Sequence, residues 1–218
     1  MSPQQKAAAA TAAAANQVFA DEYVPASPAA QAARALAAER AADPISPAAA
    51  TTLTFLTATI KARHVVEVGT GTGVSAVALL EGMAEDGVLT SIDNEAELQL
   101  VAREVLGGAG IPRPRARLIA GEALGVLPKL TDGAYDLVFI DGDPLEYVEY
   151  VAQATRLLRP GGVLVLHHAL WQGLVADPDN SDDEPLIVPE ALDAVPASEE
   201  FTAALLPVGD GLLVATKA

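Results

Sequence analysis

Acidic and imidazole side chains follow two of the apolar runs in this chain. Asp141 and Asp143 come directly after one run of strand length, and His167 and His168 come directly after the next. Carboxylates and imidazoles take up protons and bind divalent metal ions. The acidic pair, Asp141 and Asp143, therefore indicates ion, cofactor or proton chemistry, and the histidine pair indicates a base or a metal ligand. Solvated loop acids are common, however, and adjacent histidines within a strand face opposite ways, so a structural role for one histidine stays open.

A glycine-rich segment follows an earlier apolar run. Gly69, Gly71 and Gly73 have the spacing G-x-G-x-G and come just after the acid Glu67. Glycines let a ligand approach the main chain because they carry no Cβ. Dinucleotide turns have the spacing G-x-G-x-x-G, and Val74 stands at the last of those positions. The ammonium and carboxylate of S-adenosylmethionine (SAM) suit exposed amides beside an acid, and a plain structural turn is the alternative.

Two later segments could complete a nucleoside site. Asp93 comes about 20 residues after the glycine turn, where an acid can accept hydrogen bonds from ribose hydroxyls. NAD enzymes share this feature, and Asp93 with Asn94 could instead cap the following helix. Gly121, Glu122 and Ala123 follow the third apolar run and could contact an adenine edge. A helix N-terminus with a favourable acid explains them equally well.

Alternating strand and helix patterns must position these residues. Short apolar runs predict buried parallel strands, and the helix-length segments between them predict a doubly wound α/β sheet of the Rossmann-like class. The predicted strands are 65–68, 88–92, 116–119, 137–140 and 163–166, and the predicted helices are 75–83, 95–106, 121–130 and 147–158. A turn is expected at 159–162.

The two ends of the chain differ from this pattern. The alanine-rich segment 3–42 predicts N-terminal helices. Ser46 and Pro47 predict the start of a further helix over 48–60, because serine caps a helix and proline suits its first turn. At the other end, Asp210 and Gly211 indicate a turn. Late strands at 201–207 and 212–216 flank it, so we expect a C-terminal antiparallel hairpin at the sheet edge.

Length and composition restrict the class of protein. The 218 residues, 51% of them hydrophobic, predict one domain over 1–218. Within it we expect a helical extension over 1–46, and the glycine turn makes 47–218 the expected SAM-binding core. A net charge of −16 argues against a nucleic-acid partner. No stretch reaches the roughly 18 apolar residues of a membrane span. The sequence has no cysteine, which excludes a thiolate nucleophile but leaves the compartment undecided. A cytoplasmic protein is what we expect. The acidic segment 176–184 predicts a solvated loop or a lid.

The ordered set of motifs resembles the caffeoyl-CoA and catechol O-methyltransferase-like family, in particular its small bacterial members. The resemblance runs from about residue 46 to the end of the chain. It is carried by the segments 65–73, 91–93, 139–143, 170–173 and 207–212.

The resemblance implies SAM as cofactor and a set of residues that contact it. These residues are the glycine turn, the acids around it, one main-chain position before it and one serine after it: Ile45, Glu67, Gly69, Thr70, Ser75, Asp93 and Asp141. The resemblance also implies a homodimer, formed through the N-terminal helices and the C-terminal hairpin.

Family members often bind a divalent cation beside the acceptor, and this chain departs from their pattern. Asp141 matches the first ligand, but His167 and His168 replace an Asp-Asn pair, and Pro144 replaces a lysine. A divalent cation is therefore an open expectation. Zinc, iron, cobalt or nickel would suit two imidazoles better than magnesium would.

We expect methyl transfer from SAM to a hydroxyl of a small, phenolic or catechol-like acceptor. Asp141 would lie between cofactor and acceptor, His167 or His168 would act as base or metal ligand, and Trp171 with Gln172 would form the acceptor wall. Two alternatives stay open: a SAM-binding protein with weak or lost catalysis, and an NAD-dependent oxidoreductase.

Overall fold

The computed structural model describes residues 2–176 and 184–218, so the predicted loop or lid over 176–184 lies almost entirely outside the described residues. Helices α1 (Pro3–Tyr23), α2 (Pro28–Glu39) and α3 (Pro47–Thr59) precede the sheet. The predicted start of α3 is confirmed, because the Ser46 hydroxyl accepts a hydrogen bond from the Ala49 amide at 3.1 Å and Pro47 is the first helical residue.

Seven strands form one mixed sheet, as the doubly wound prediction requires. The strands are β1 (His64–Val68), β2 (Val88–Asp93), β3 (Ala116–Ala120), β4 (Tyr135–Ile140), β5 (Leu158–Leu166), β6 (Phe201–Leu206) and β7 (Leu212–Lys217). Their order is β3-β2-β1-β4-β5-β7-β6. The first five pair in parallel. β7 pairs antiparallel with both β5 and β6, which confirms the C-terminal hairpin.

Helices cover both faces of the sheet. The remaining helices are α4 (Val74–Gly82), α5 (Ala96–Gly108), α6 (Ala123–Val126), α7 (Tyr147–Leu157) and α8 (Glu184–Ala197). Val65 and Leu137 point into one core, beneath α3, α4 and α5. Val66 and Val138 point into the other, with α7 and α8. Strands buried on both faces explain the continuous apolar runs.

Two predicted elements are wrong and one helix was missed. The helix expected over 121–130 is only the short α6 followed by a 3-10 turn, Leu127–Lys129, where Pro128 interrupts the pattern. The turn expected at 159–162 lies inside β5, as an irregularity between the pairs Tyr135–Leu158 and Leu137–Val163. Helix α8 was not predicted, since Pro189 and Pro196 lie within it. Among the described segments, none of the helices is both long and apolar enough to cross a membrane.

Candidate active site

The glycine turn lies where β1 and β4 separate, at the carboxyl edge of the sheet. The Gly69 amide donates to the Ile92 carbonyl at 2.9 Å, and the Asp141 amide donates to the Val68 carbonyl at 2.8 Å. The chain leaves these two neighbouring strands in opposite directions, which opens a crevice at this point of an α/β sheet. The positive φ angles of Gly69, Gly71 and Gly73 account for three glycines in one turn.

A cavity of about 430 Å³ opens above this turn. Its size is that of a small-molecule site. Many of the predicted residues line it: Ile45, Gly69, Thr70, Gly71, Ser75, Asp93, Asp141, His168 and Trp171. The loop from Arg40 to Pro44 lines it as well, and sequence reasoning missed that loop because no motif marks it. The N-terminal region thus forms one wall of the cavity.

A second cavity of about 250 Å³ shares Gly69, Asp93 and Asp141 with the first. It brings the other residues proposed for a nucleoside, Asn94, Gly121, Glu122 and Ala123, together with Asp143, the second acid of the pair after β4. Two of these residues also have a local structural role, beside the cofactor-binding role predicted for them. The Asp143 side chain caps a 3-10 turn by accepting from the Leu145 amide at 2.9 Å, and Glu122 is the residue before α6.

Asp93 holds the glycine turn in place. Its Oδ2 accepts hydrogen bonds from the amides of Thr70 and Gly71, each at 2.8 Å, and its Oδ1 accepts from the Glu95 amide at 2.7 Å. Glu95 is the residue immediately before α5, and its side chain makes no capping bond. Asp93 therefore ties β2 to the turn after β1, rather than serving only as a helix cap.

Glu67 is fully buried beneath the turn. Ser91 donates a hydrogen bond to its Oε2, and its Oε1 has no hydrogen-bond partner among the residues that the structure describes. Burial raises the pKa of Glu67 to about 8. The nearby Ser75 and Ser91 hydroxyls oppose the shift, and nearby Asp141 and Asp93 add to it. A buried carboxylate oxygen without a partner suits a cationic ligand group.

Asp141 and the two histidines form one cluster. Strand β5 ends at Leu166 and His168 has a φ of 54°, so the alternation that would separate the histidines has already stopped. Asp141 Oδ1 lies 2.8 Å from His167 Nδ1 and 3.6 Å from His168 Nε2. Both histidines therefore lie close to the same carboxylate, as the sequence allows if the strand ends before them.

The surroundings of the two histidines differ. His167 is buried, its carbonyl accepts from the Tyr147 hydroxyl at 3.2 Å, and its Nε2 has no partner within 2–176 and 184–218. His168 is partly exposed; its Nδ1 lies 2.7 Å from Oδ2 of Asp210, and its ring meets the Trp171 ring edge to face. Sequence reasoning assigned Asp210 only to the hairpin turn.

A further cavity of about 350 Å³ shares His168 with the cavity above the glycine turn. His167, Gln172 and Asp210 line it, together with residues of the N-terminal region. The two residues predicted for an acceptor wall therefore line different cavities, Gln172 this one and Trp171 the cavity above the glycine turn. Two residues predicted to bind the cofactor, Glu67 and Gly73, do not line these cavities. Gly73 has a packing role instead: a Cβ at this position would lie 3.1 Å from Ala102 Cβ, so the glycine allows α4 and α5 to pack closely.

Known proteins resemble the chain over most of its length. The sequence model of the O-methyltransferase family matches residues 31–218. A protein of Mycobacterium sp. (strain JLS) that is named as an O-methyltransferase is 47% identical over 186 residues, which cover 85% of this chain and 84% of that protein.

Solved structures agree with this match. A protein of Corynebacterium glutamicum superimposes with a TM-score of 0.88 at 30% identity, covering 95% of this chain and 97% of that one. The O-methyltransferase TomG of Streptomyces achromogenes, crystallised with SAM, superimposes with a TM-score of 0.84 at 26% identity and covers 94% of this chain and 96% of its own.

Proposed function

The chain belongs to the O-methyltransferase family, and from this premise we propose that it transfers the methyl group of SAM to a hydroxyl of a small phenolic or catechol-like acceptor. The observation that carries the proposal is the cluster of Asp141, His167 and His168. Asp141 and His168 line the cavity above the glycine turn, and His167 and His168 line the further cavity that shares His168 with it. The cavity above the glycine turn suits the methyl donor, and the further cavity suits an acceptor of modest size.

SAM occupies the first two cavities in this proposal. Glu67 receives the ammonium of its amino-acid part, because a buried carboxylate oxygen there has no partner in the described part of the chain. Asp93 and Asn94 face the ribose, and the segment from Gly121 to Ala123 faces the adenine. Ile45, Ser75 and the glycine turn enclose the methionine part.

The reaction forms a bond between the acceptor oxygen and the methyl carbon and breaks the bond between that carbon and the sulfonium sulfur. The products are a methyl ether and the neutral thioether of the cofactor, and the acceptor hydroxyl gives up one proton. Positioning and removal of this proton are most of the task. Asp141 and the two histidines line the donor and acceptor cavities and can take up the proton. Trp171 and Gln172 position the acceptor ring.

The protein works as a homodimer in the cytoplasm in this proposal, as a single domain in which the N-terminal region completes the site. Exposed apolar side chains on the N-terminal helices, including Phe19, Tyr23 and Phe55, support a second copy as partner. The charge of −16 disfavours nucleic acid as a substrate.

Calorimetric titration of metal-stripped protein with SAM, and separately with NAD, tests the donor. Saturable binding of SAM alone is expected, and binding of NAD alone would refute the assignment. Mass spectrometry of a catechol and monophenol panel incubated with SAM then tests the acceptor. SAM binding without any methylated product across that panel would favour a binding protein that has lost catalysis.

A further inference from the structure

The cluster of Asp141, His167 and His168 has the spacing of a metal site. One ligand atom from each side chain lies within 4.8 Å of the other two. Zinc binds imidazole nitrogen and carboxylate oxygen at about 2.0–2.2 Å, so the ligand atoms around one ion lie within about 4 Å of one another. The three side chains are therefore close to the arrangement that a single ion requires.

Asp210 provides the carboxylate that accepts a hydrogen bond from the second ring nitrogen of His168. An ionised carboxylate accepts hydrogen bonds only, so the 2.7 Å contact with Asp210 Oδ2 places the proton of neutral His168 on Nδ1. This leaves a lone pair on Nε2, the atom that lies 3.6 Å from Asp141 Oδ1. Metal-binding histidines generally donate their other ring N–H to a carboxylate or carbonyl, which fixes the tautomer and the ring orientation.

The turn that carries Asp210 is itself held against the histidine loop. The Asp210 carbonyl accepts from the Leu170 amide at 2.9 Å, and its Oδ1 accepts from the Gln172 amide. Gly211, with a φ of 89°, allows close approach, since a Cβ there would lie 2.7 Å from the Leu170 nitrogen. Asp210 is thus fixed relative to His168 by main-chain contacts as well as by its side chain.

We propose that Asp141, His167 and His168 form a two-histidine, one-carboxylate site for a borderline divalent ion such as Zn²⁺ or Co²⁺, and that Asp210 is the positioning residue that holds His168 as a ligand. Two nitrogen donors disfavour Mg²⁺, which prefers oxygen ligands in octahedral geometry. When bound, such an ion lowers the pKa of an acceptor hydroxyl. That catalytic role rests on the proposed function, whereas binding of the ion can be measured without turnover.

The test uses the full chain without a histidine tag, stripped with a chelator and titrated with Zn²⁺, Co²⁺ and Mg²⁺ in a calorimeter and by visible absorption. The chain suits a metal titration because its sequence has no cysteine and only three histidines. We expect one ion per chain, tighter binding of Zn²⁺ than of Mg²⁺, and visible Co²⁺ absorption that His168→Ala removes. Asp210→Asn should weaken Zn²⁺ binding about 10- to 100-fold.

Asp143→Asn is the matched control, because Asp143 lies at the same sheet edge but outside the cluster, and it should keep Zn²⁺ affinity. Thermal unfolding of each metal-free variant checks that it is folded. Mg²⁺ binding as tight as Zn²⁺ binding, or Co²⁺ absorption that survives His168→Ala, would overturn the site. Unchanged Zn²⁺ affinity in folded Asp210→Asn would overturn the role of Asp210. If the site fails while the protein still binds SAM and methylates a phenol, the proposed function stands.

Discussion

Gly69 lies directly against Asp141: a Cβ on Gly69 would lie 2.1 Å from the Asp141 carbonyl oxygen. The φ of Gly69 is also 91°, which side chains with a Cβ rarely adopt. The backbones at the end of β1 and just after β4 are therefore in direct contact, and the glycine turn is packed against the residue that begins the loop after β4.

We expect Gly69→Ala to destabilise the protein by about 2–5 kcal/mol, from backbone strain plus overpacking. Gly71→Ala is the matched control, since its φ is also positive but nothing lies within 4 Å of an added Cβ. It should cost only about 1–2 kcal/mol of strain. Urea denaturation of both variants measures the difference, and equal losses would show that the contact with Asp141 is unimportant.

The buried Glu67 carboxyl should make the stability of the ligand-free protein depend on pH. Its pKa is about 8 in the folded protein, against 4.5 for the unperturbed group. Between these values the folded state keeps a proton that the unfolded state has lost. Stability contributed by the protonated form is thus complete below about pH 4.5 and is lost as pH rises to about 8. Glu67→Gln should gain stability relative to the wild type across this window, on the order of a few kcal/mol. Denaturant titrations at several pH values measure this, and parallel pH profiles for the two proteins would contradict it.

SAM binding should show the opposite dependence. If Glu67 receives the SAM ammonium as a carboxylate, it must release its proton when SAM binds below about pH 8. Affinity should then rise with pH, by up to about tenfold per unit, and level off near pH 8. Calorimetry in buffers of different ionisation enthalpy counts the released proton. Glu67→Gln should bind SAM weakly and without proton release; release that persists in this variant would point to another group.

Local sequence signals predicted the parts of the site that depend on strand ends. Gly69, Asp93 and Asp141 each follow an apolar run, and the carboxyl ends of parallel strands meet at one edge. Asp210 could not be placed in this way. It meets His168 across 42 residues only because β7 pairs antiparallel with β5, in a register that no local pattern specifies. The loop from Arg40 to Pro44 was missed for a similar reason, since its position depends on how the N-terminal helices pack on the core.

The proposed dimer predicts that a charge on the exposed apolar surface of α1 will separate the subunits. Phe19 is 68% exposed and its ring lies 5.8 Å from that of Tyr23. Phe19→Asp should shift the protein toward monomer in sedimentation velocity. Leu100→Asp is the matched control, because Leu100 is 61% exposed but lies on α5. A dimer that persists in Phe19→Asp, or a wild-type monomer, would contradict this interface.

Replacing His168 should separate acceptor chemistry from donor binding. His168→Ala removes the imidazole that lies between Asp141 and Asp210, and kcat/KM for a catechol should fall by about 10²- to 10⁴-fold, whether the ring takes the proton or binds an ion. Because Glu67 and Asp93 remain in place, SAM affinity should fall far less. His64→Ala is the control, since His64 is exposed at the start of β1, the opposite end of the strand from the glycine turn, and its kcat/KM should stay at the wild-type value. A full rate in His168→Ala would remove the cluster from the mechanism, whereas an equal loss of SAM affinity would place His168 on the donor side.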